Sequence, residues 1–375
     1  MTTFSKKTRL LSGLLSGNTA RTGPFTVTVD VTRRCNLKCP GCRYHSENVR
    51  IPAPGDPNIQ DMDQEMFGRL CKELKAYGTE TMVLLGEGEP FVHPGLVDLV
   101  AAAKDAGFEV ILYTNGTLLD ESRLRALVAL SLDVLKVSMW ASSEEEYERN
   151  DPGASPANFT RTVNSLKDLA RIKAEQESSL PSVVLHRPIS RDNYRSVEAM
   201  PGIAHETGAD QLSFSPVKTR KGHLAFMALS PGEEGALRIT LMKMKSDLRA
   251  LSLQSNIDQT LLRYRIGEAV WEKMPCYIGW IHARIKTDGT VMPCNPCNLP
   301  VGSLRENTFE EIWNGPALRE FRGRTITHEG LVEVGRNCEC GFCCHTGQNL
   351  RVHKVFKWCS SLRRASQAGK ASSVP

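Results

Sequence analysis

The chain has 375 residues, 41% hydrophobic and 24% charged, which is enough for one large core or a core with a small second domain. A net charge of +5 with no long Lys/Arg run argues against a nucleic-acid partner, and the absence of any apolar stretch near the ~20 residues of a span argues against a membrane one. Twelve cysteines in tight groups, in a long chain without a signal peptide, point to metal or cluster ligands in a cytoplasmic, oxygen-sensitive protein rather than to disulfides.

Residues 1–24 form a basic N-terminal extension, expected to contain a short helix rather than a transit peptide. Over residues 25–230 short β-branched runs alternate with amphipathic segments. The pattern predicts strands over 26–31, 81–86, 108–113, 133–139, 182–187 and 211–215. Helices are expected near 62–77, 95–107, 120–130, 157–176 and 193–207. Such repeats imply an α/β fold with a parallel sheet, because parallel strands need helical crossovers. Six units are too few for a closed eight-stranded barrel, so a partial, TIM-like (β/α)6 barrel is expected.

A helical connection is expected over 231–275, then a small cysteine-rich domain over 276–360. This region holds a hairpin signal, HARIKTDGTVMPC, whose Asp288-Gly289 pair suits a tight turn, and a capping-box pattern from Thr308 to Glu311 that starts a helix near 308–314. Residues 361–375 have the composition of a disordered tail, and Cys71, within the first crossover helix, is expected to be a buried apolar residue.

The motifs sit at the strand ends. Cys35, Cys39 and Cys42, spaced C-x3-C-x2-C, follow the first strand; three thiolates can hold three irons of a cubane and leave the fourth iron open. Zinc with His45 as a fourth ligand is the competing reading, but it leaves the other strand-end motifs without a purpose. Those motifs are GEGEP at 86–90, TNG at 114–116 and VSMW at 137–140. In parallel α/β folds ligands bind outside the carboxyl ends of the strands, so these loops are expected to converge with the cysteine loop on one site.

Taken together, the three-cysteine loop, GEGEP, TNG and the serine of VSMW resemble the radical S-adenosylmethionine superfamily over residues 25–217. The resemblance implies a [4Fe-4S] cluster on Cys35, Cys39 and Cys42, with the amine and carboxylate of S-adenosylmethionine on the open iron. It implies one-electron cleavage of the sulfonium to a 5′-deoxyadenosyl radical that abstracts a substrate hydrogen, with an electron donor such as flavodoxin or ferredoxin. It further implies that Glu89 accepts the cofactor ammonium, with Glu87 as the alternative, and that Gly86 and Gly88 allow close backbone approach. Asn115 and Ser138 fit the polar contacts to the cofactor, and Arg149 resembles the arginine that pairs with its carboxylate. Asn115-Gly116 as an ordinary turn, and Arg149 as a surface residue of the acidic helix EEEYERN, remain open readings. The family often has an aromatic residue before the third cysteine, near the adenine; this chain has Gly41, for which Tyr44 is the available substitute.

The second cysteine block, with Cys276-x12-Gly289-x4-Cys294 and the following VGSLRENTFEEIWNGPALREFR, resembles the auxiliary-cluster extensions called SPASM and twitch domains. The resemblance implies one auxiliary [4Fe-4S] cluster on Cys276, Cys294, Cys340 and Cys343. Cys297, Cys338, Cys344 and Cys359 are enough for a second, and a zinc ribbon is a further alternative. Three functions follow as expectations. The first is radical oxidation or rearrangement of a small molecule such as a sugar or natural-product precursor, since the residues before the first strand are too few for a separate peptide-binding domain. The second is the same chemistry on a ribosomal peptide: cross-linking, oxidation or epimerisation, the last with Cys297 or Cys344 as hydrogen donor. The third is a non-enzymatic zinc module. His186, Arg187, Ser213 and Ser215, at later strand ends, are the polar residues expected near a substrate.

Overall fold

The computed structural model describes residues 3–49, 54–150, 154–217, 223–338, 340 and 343–357. The expected tail at 361–375, and Cys359, lie outside the described residues. After helix α1 (Thr3–Ser16), the chain alternates β1 (Thr26–Asp30), α2 (Gln64–Ala76), β2 (Thr81–Leu85), α3 (Leu96–Asp105), β3 (Glu109–Thr114), α4 (Glu121–Ala129) and β4 (Val134–Ser138). It continues through α5 (Glu144–Asn150), α6 (Ala157–Glu175), β5 (Ser182–Ile189), α7 (Met200–Thr207) and β6 (Gln211–Pro216). All six strands and the five crossover helices fall where periodicity puts them, except that the last helix begins as a 3-10 turn over Tyr194–Ala199.

The reasons are local. In β1 Val27, Thr28, Val29 and Asp30 are all buried, the signature of a parallel strand covered on both faces. In α2 the Asp63 carboxylate caps Met66 N, and Met66, Phe67, Leu70, Cys71 and Leu74 make the one face turned to the sheet. Cys71 is 2% exposed and part of that core.

The helical connection consists of α8 (Pro231–Ala250), a short strand β7 (Gln254–Ser255), α9 (Ile257–Ile266) and α10 (Val270–Lys273). β8 (His282–Ile285), β9 (Thr290–Met292) and β10 (Gly302–Ser303) follow, then α11 (Phe309–Trp313), α12 (Pro316–Thr325), α13 (His328–Gly335) and a helix α14 over residues 346–357. The Asp288-Gly289 turn forms, with Gly289 at φ +85°, and Thr308 and Glu311 make a capping box.

The strands make one open ten-stranded sheet in the order β10-β9-β8-β1-β2-β3-β4-β5-β6-β7. Strands β1 to β6 pair in parallel with their sequence neighbours, which brings all their carboxyl ends to one side. The hairpin of the cysteine-rich region does not stand apart: β8 pairs in parallel with the free edge of β1. Arg284 of β8 donates from Nε and Nη2 to the Asp30 carboxylate, both at 2.9 Å, and from Nη1 to Asn295 O at 2.8 Å. A buried aspartate is thereby matched by a bidentate guanidinium, and the two cysteine regions are fixed across a single sheet edge.

Candidate active site

The segment from Cys35 to Cys42 leaves the carboxyl end of β1, and its three cysteines are half-buried and not disulfide-bonded. All three line a cavity of ≈ 370 Å³ that is also lined by Gly86, Glu87, Gly88, Glu89, Asn115 and Ser138. Convergence of the strand-end motifs therefore holds. Main-chain N–H groups of Leu37 and Tyr44 point at Cys35 Sγ and Cys42 Sγ, each at 3.4 Å. Burial, with the charges of Glu89 and Cys42 adding to it, pushes the Cys35 thiol up to about 11. A thiolate here therefore needs a cation beside it, which an iron cluster provides.

The two glycines of GEGEP serve the loop's own docking. Gly88 N donates to Thr32 O at 3.0 Å and Glu89 N to Arg34 O at 2.9 Å. A β-carbon on Gly86 would stand 2.6 Å from Thr32 O, and one on Gly88 would run into Arg34 O. The close approach is to the segment between β1 and Cys35, so the glycines set the distance between GEGEP and the cysteines.

The two glutamates differ sharply. Glu87 is ion-paired to Arg33 at 2.8 Å and to Lys286 of the hairpin turn. Glu89 is 3% exposed and accepts from Thr114 Oγ1 and Asn115 N, each at 2.6 Å, and from Phe91 N at 3.2 Å. Among the described residues no Lys, Arg or His lies within ion-pairing distance of it. Burial consequently raises its pKa, against the lowering effect of those hydrogen bonds. A buried carboxylate with no ion-pair partner among the described residues and only the more distant charge of Arg123 acting on it, lining a cavity, fits an ammonium-bearing ligand.

Asn115 is committed to the cysteine loop. Its Nδ2 donates to Asn36 Oδ1 at 2.9 Å, its Oδ1 accepts from Thr117 N at 2.9 Å, and Asn36 Nδ2 reaches Thr117 Oγ1 at 2.8 Å. Gly116 takes φ +79°, so the turn and the site contact are the same structure. Ser138 lines the cavity at the end of β4, half-buried. Arg149, by contrast, is exposed on α5 and is not among the residues lining the cavity, whereas its neighbour Asn150 is.

Tyr44 lines the same cavity as Gly41. Its ring faces three cations, Arg43, Arg284 and Lys286, at 5.7, 5.8 and 5.6 Å. The indole of Trp140 lies against Gly41 instead: a β-carbon on Gly41 would stand 2.7 Å from Trp140 Cη2. An aromatic side chain from the end of β4 thus stands beside Gly41, a neighbour that no local spacing in the loop signals.

Gly41, Leu85, Tyr113, Trp140, His186 and Pro188 are shared with a second cavity of ≈ 650 Å³. Across this wall lie Ser213 and Ser215 of β6, Gln259 and Arg263 of α9, and Asn295, Cys344 and Thr346 from the cysteine-rich region. His186 is held by Ser213 Oγ at Nδ1 and Ser215 Oγ at Nε2, both at 3.2 Å. Burial keeps it well below its usual pKa, assisted by the charges of Lys136 and Arg263, so it is neutral at pH 7. Arg187 differs from its neighbours in the expected group. It is fully buried and donates to both oxygens of Glu146 at 3.0 Å and to Ser196 Oγ at 2.7 Å, tying β5 to α5. Residues alternate sides along a strand, and Arg187 falls on the opposite side from His186.

In the second block Cys276, Cys294 and Cys343 are buried and Cys340 half-buried, none of them in a disulfide. Burial, with the charge of Cys340 adding to it, pushes Cys276 up to about 12. His345 N donates to Cys343 Sγ at 3.4 Å. Cys297 and Cys338 are joined in a disulfide on an antiparallel bridge between their segments. Among the described residues no three His, Cys, Asp or Glu side chains are gathered tightly enough to hold one ion. No helix among them is long and apolar enough to cross a membrane.

Comparison with known proteins agrees with this geometry. Residues 29–175 match the Radical SAM superfamily, and residues 276–346 match the SPASM iron-sulfur cluster-binding domain. The chain is 28% identical over 329 residues to a PqqA peptide cyclase of Ruegeria pomeroyi, covering 84% of this chain and 80% of that one. Two solved structures share its fold. Streptococcus suis SuiB bound to the precursor peptide SuiA has a TM-score of 0.62 at 13% identity, over 84% of this chain and 70% of that one. anSMEcpe with bound AdoMet has a TM-score of 0.60 at 18% identity, over 92% and 96%.

Proposed function

We propose that this chain, which belongs to the radical S-adenosylmethionine superfamily and carries a SPASM iron-sulfur domain, is an enzyme that modifies a peptide. The observation that carries the peptide reading is its likeness, along most of its length, to PqqA peptide cyclases. The small-molecule expectation had rested on the short segment before β1, and the comparisons back the peptide alternative better.

The residue roles follow from the first cavity. Cys35, Cys39 and Cys42 would hold the cluster. Glu89 receives the cofactor ammonium, with its orientation fixed by Thr114 and the Asn115 amide. Asn115, through Asn36, holds the cysteine loop at its working distance from Glu89. Trp140 offers its face to the adenine in place of an aromatic neighbour of Cys42. Ser138 contributes a polar contact beside it. Arg149, exposed on α5 and outside the cavity lining, is given no role. Cys276, Cys294, Cys340 and Cys343 hold an auxiliary cluster. When bound, cluster and cofactor supply reductive cleavage of S-adenosylmethionine and hydrogen abstraction from the substrate.

The test has two arms. Reduced, iron-reconstituted protein should turn S-adenosylmethionine into 5′-deoxyadenosine under strict anaerobiosis. Added small peptides encoded beside its gene should lose hydrogen by mass, or, if epimerised, keep their mass in water and gain one deuterium in D2O; unchanged peptides together with deuterium transfer from a labelled sugar or cyclitol would reinstate the small-molecule reading.

A further inference from the structure

Glu87 lines the cofactor cavity, yet both its carboxylate oxygens are turned to cations. Arg33 Nε lies 2.8 Å from Oε2, Lys286 Nζ donates to Oε1, and Arg284 Nη2 stands 4.0 Å from Oε1. Lys286 and Arg284 belong to β8 and the turn after it, so the cysteine-rich region delivers two of these charges to the first site. Asp30, Glu87, Arg284 and Lys286 are all buried.

Tyr44 joins this charge cluster to the first cysteine motif. Its main-chain N–H lies 3.4 Å from Cys42 Sγ, and its ring faces Arg43, Arg284 and Lys286. Asp288, also buried, is a third carboxylate acting on Lys286 beside Asp30 and Glu87. Among the described residues, Arg33, Arg43, Arg284 and Lys286 thus stand with three carboxylates, and the excess charge is positive. Burial lowers Lys286 to about 8, which leaves it mostly charged at pH 7.

Locking the hairpin to the barrel does not by itself require these ions. Burying a charge costs several kcal/mol, and well-packed apolar side chains hold such a joint equally well. Fixed, desolvated charges add something that apolar groups do not: a field that is weakly screened where water is excluded. A three-thiolate iron-sulfur cluster gains one negative charge on reduction. A cation beside it therefore favours the reduced state, and an anion opposes it.

We propose that Lys286, carried by the hairpin of the cysteine-rich region and set against Glu87, raises the reduction potential of the cluster held by Cys35, Cys39 and Cys42. This rests on the reading of those three cysteines as cluster ligands.

The test is redox potentiometry of the reconstituted full chain at pH 7 and constant ionic strength. The first cluster is read by low-temperature EPR, after subtraction of the signal of the Cys35→Ala, Cys39→Ala, Cys42→Ala triple variant. Lys286→Gln should lower the midpoint potential by about 59 mV, a 10-fold change in the one-electron equilibrium. Glu87→Gln should raise it by a similar amount, the double variant should return near the wild type, and Lys286→Arg should keep the wild-type value. A joint that is merely loosened has no reason to move the potential in opposite directions in the two single variants. If Lys286→Gln does not fold, the difference between Glu87→Gln and the double variant measures the same charge. No shift in the neutral variants, shifts of one sign in both, or a wild-type potential lost in Lys286→Arg would overturn the proposal while the cluster assignment stands. No first-cluster signal from iron-replete wild type would overturn the assignment itself, and this inference with it.

Discussion

Glu89 carries the sharpest prediction at the residue scale. Its pKa is raised in the folded chain by burial, so the folded form binds more protons than the unfolded one. The sign follows: the stability linked to the protonated carboxyl is fully present below the ordinary carboxylate range and is lost as pH rises through the raised folded value. The melting temperature of Glu89→Gln, which has no carboxyl to titrate, should therefore decline less with pH than that of the wild type in the cofactor-free protein. The same variant should lose S-adenosylmethionine affinity by about 10-fold or more, measured by equilibrium dialysis. A variant that keeps full affinity would remove Glu89 from the cofactor site.

Gly41 and Trp140 give a second test, because each is constrained by the other. Gly41→Phe alone forces its side chain into the indole and should cost about 1–3 kcal/mol of stability, as overpacking does. Trp140→Ala alone should fold but bind S-adenosylhomocysteine several-fold more weakly. The double variant should recover both stability and affinity, in chemical denaturation and dialysis respectively. Independent, additive effects would mean that the indole does not stand in for the missing aromatic residue.

Among the elements, β8 is the joint between the two cysteine regions. Removing Arg284 leaves Asp30 buried without its cation, a loss on the order of 3–5 kcal/mol. Arg284→Ala should lower the denaturation midpoint by that measure, and the double variant Asp30→Asn, Arg284→Met should recover part of it. The Cys297–Cys338 pair makes a compositional prediction. As a disulfide it ligates nothing, so reconstituted protein should hold two clusters, about eight irons per chain, and Cys297→Ser should leave that number unchanged. Loss of about a third of a larger iron content in that variant would show the pair to be ligands of a second auxiliary cluster.

Element periodicity was enough for the barrel because each parallel strand is a short apolar run and each crossover helix has one apolar face, as in β1 and α2. The attachment of β8 to β1 was not readable, since edge pairing between segments far apart in sequence leaves no periodic trace. The same limit applies within the site. Cys35, Glu89 and Asn115 announce themselves by motif, whereas Trp140 beside Gly41 becomes a neighbour only when the strands are brought together.

On the scale of the whole molecule, one open sheet with all the carboxyl ends of β1 to β6 on one side accounts for the layout: cysteine loop, acidic loop and polar strand ends around one cavity, and a second cavity beside it bounded by the cysteine-rich region. The central claim is that this layout makes a radical from S-adenosylmethionine at Cys35, Cys39 and Cys42. The most direct measurement is chromatographic detection of 5′-deoxyadenosine from reduced, reconstituted wild-type protein beside the Cys35→Ala, Cys39→Ala, Cys42→Ala triple variant. Formation by the wild type and none by the triple variant, which should still carry auxiliary iron, is the predicted result. No 5′-deoxyadenosine from iron-replete wild type, or the same amount from both proteins, would contradict it.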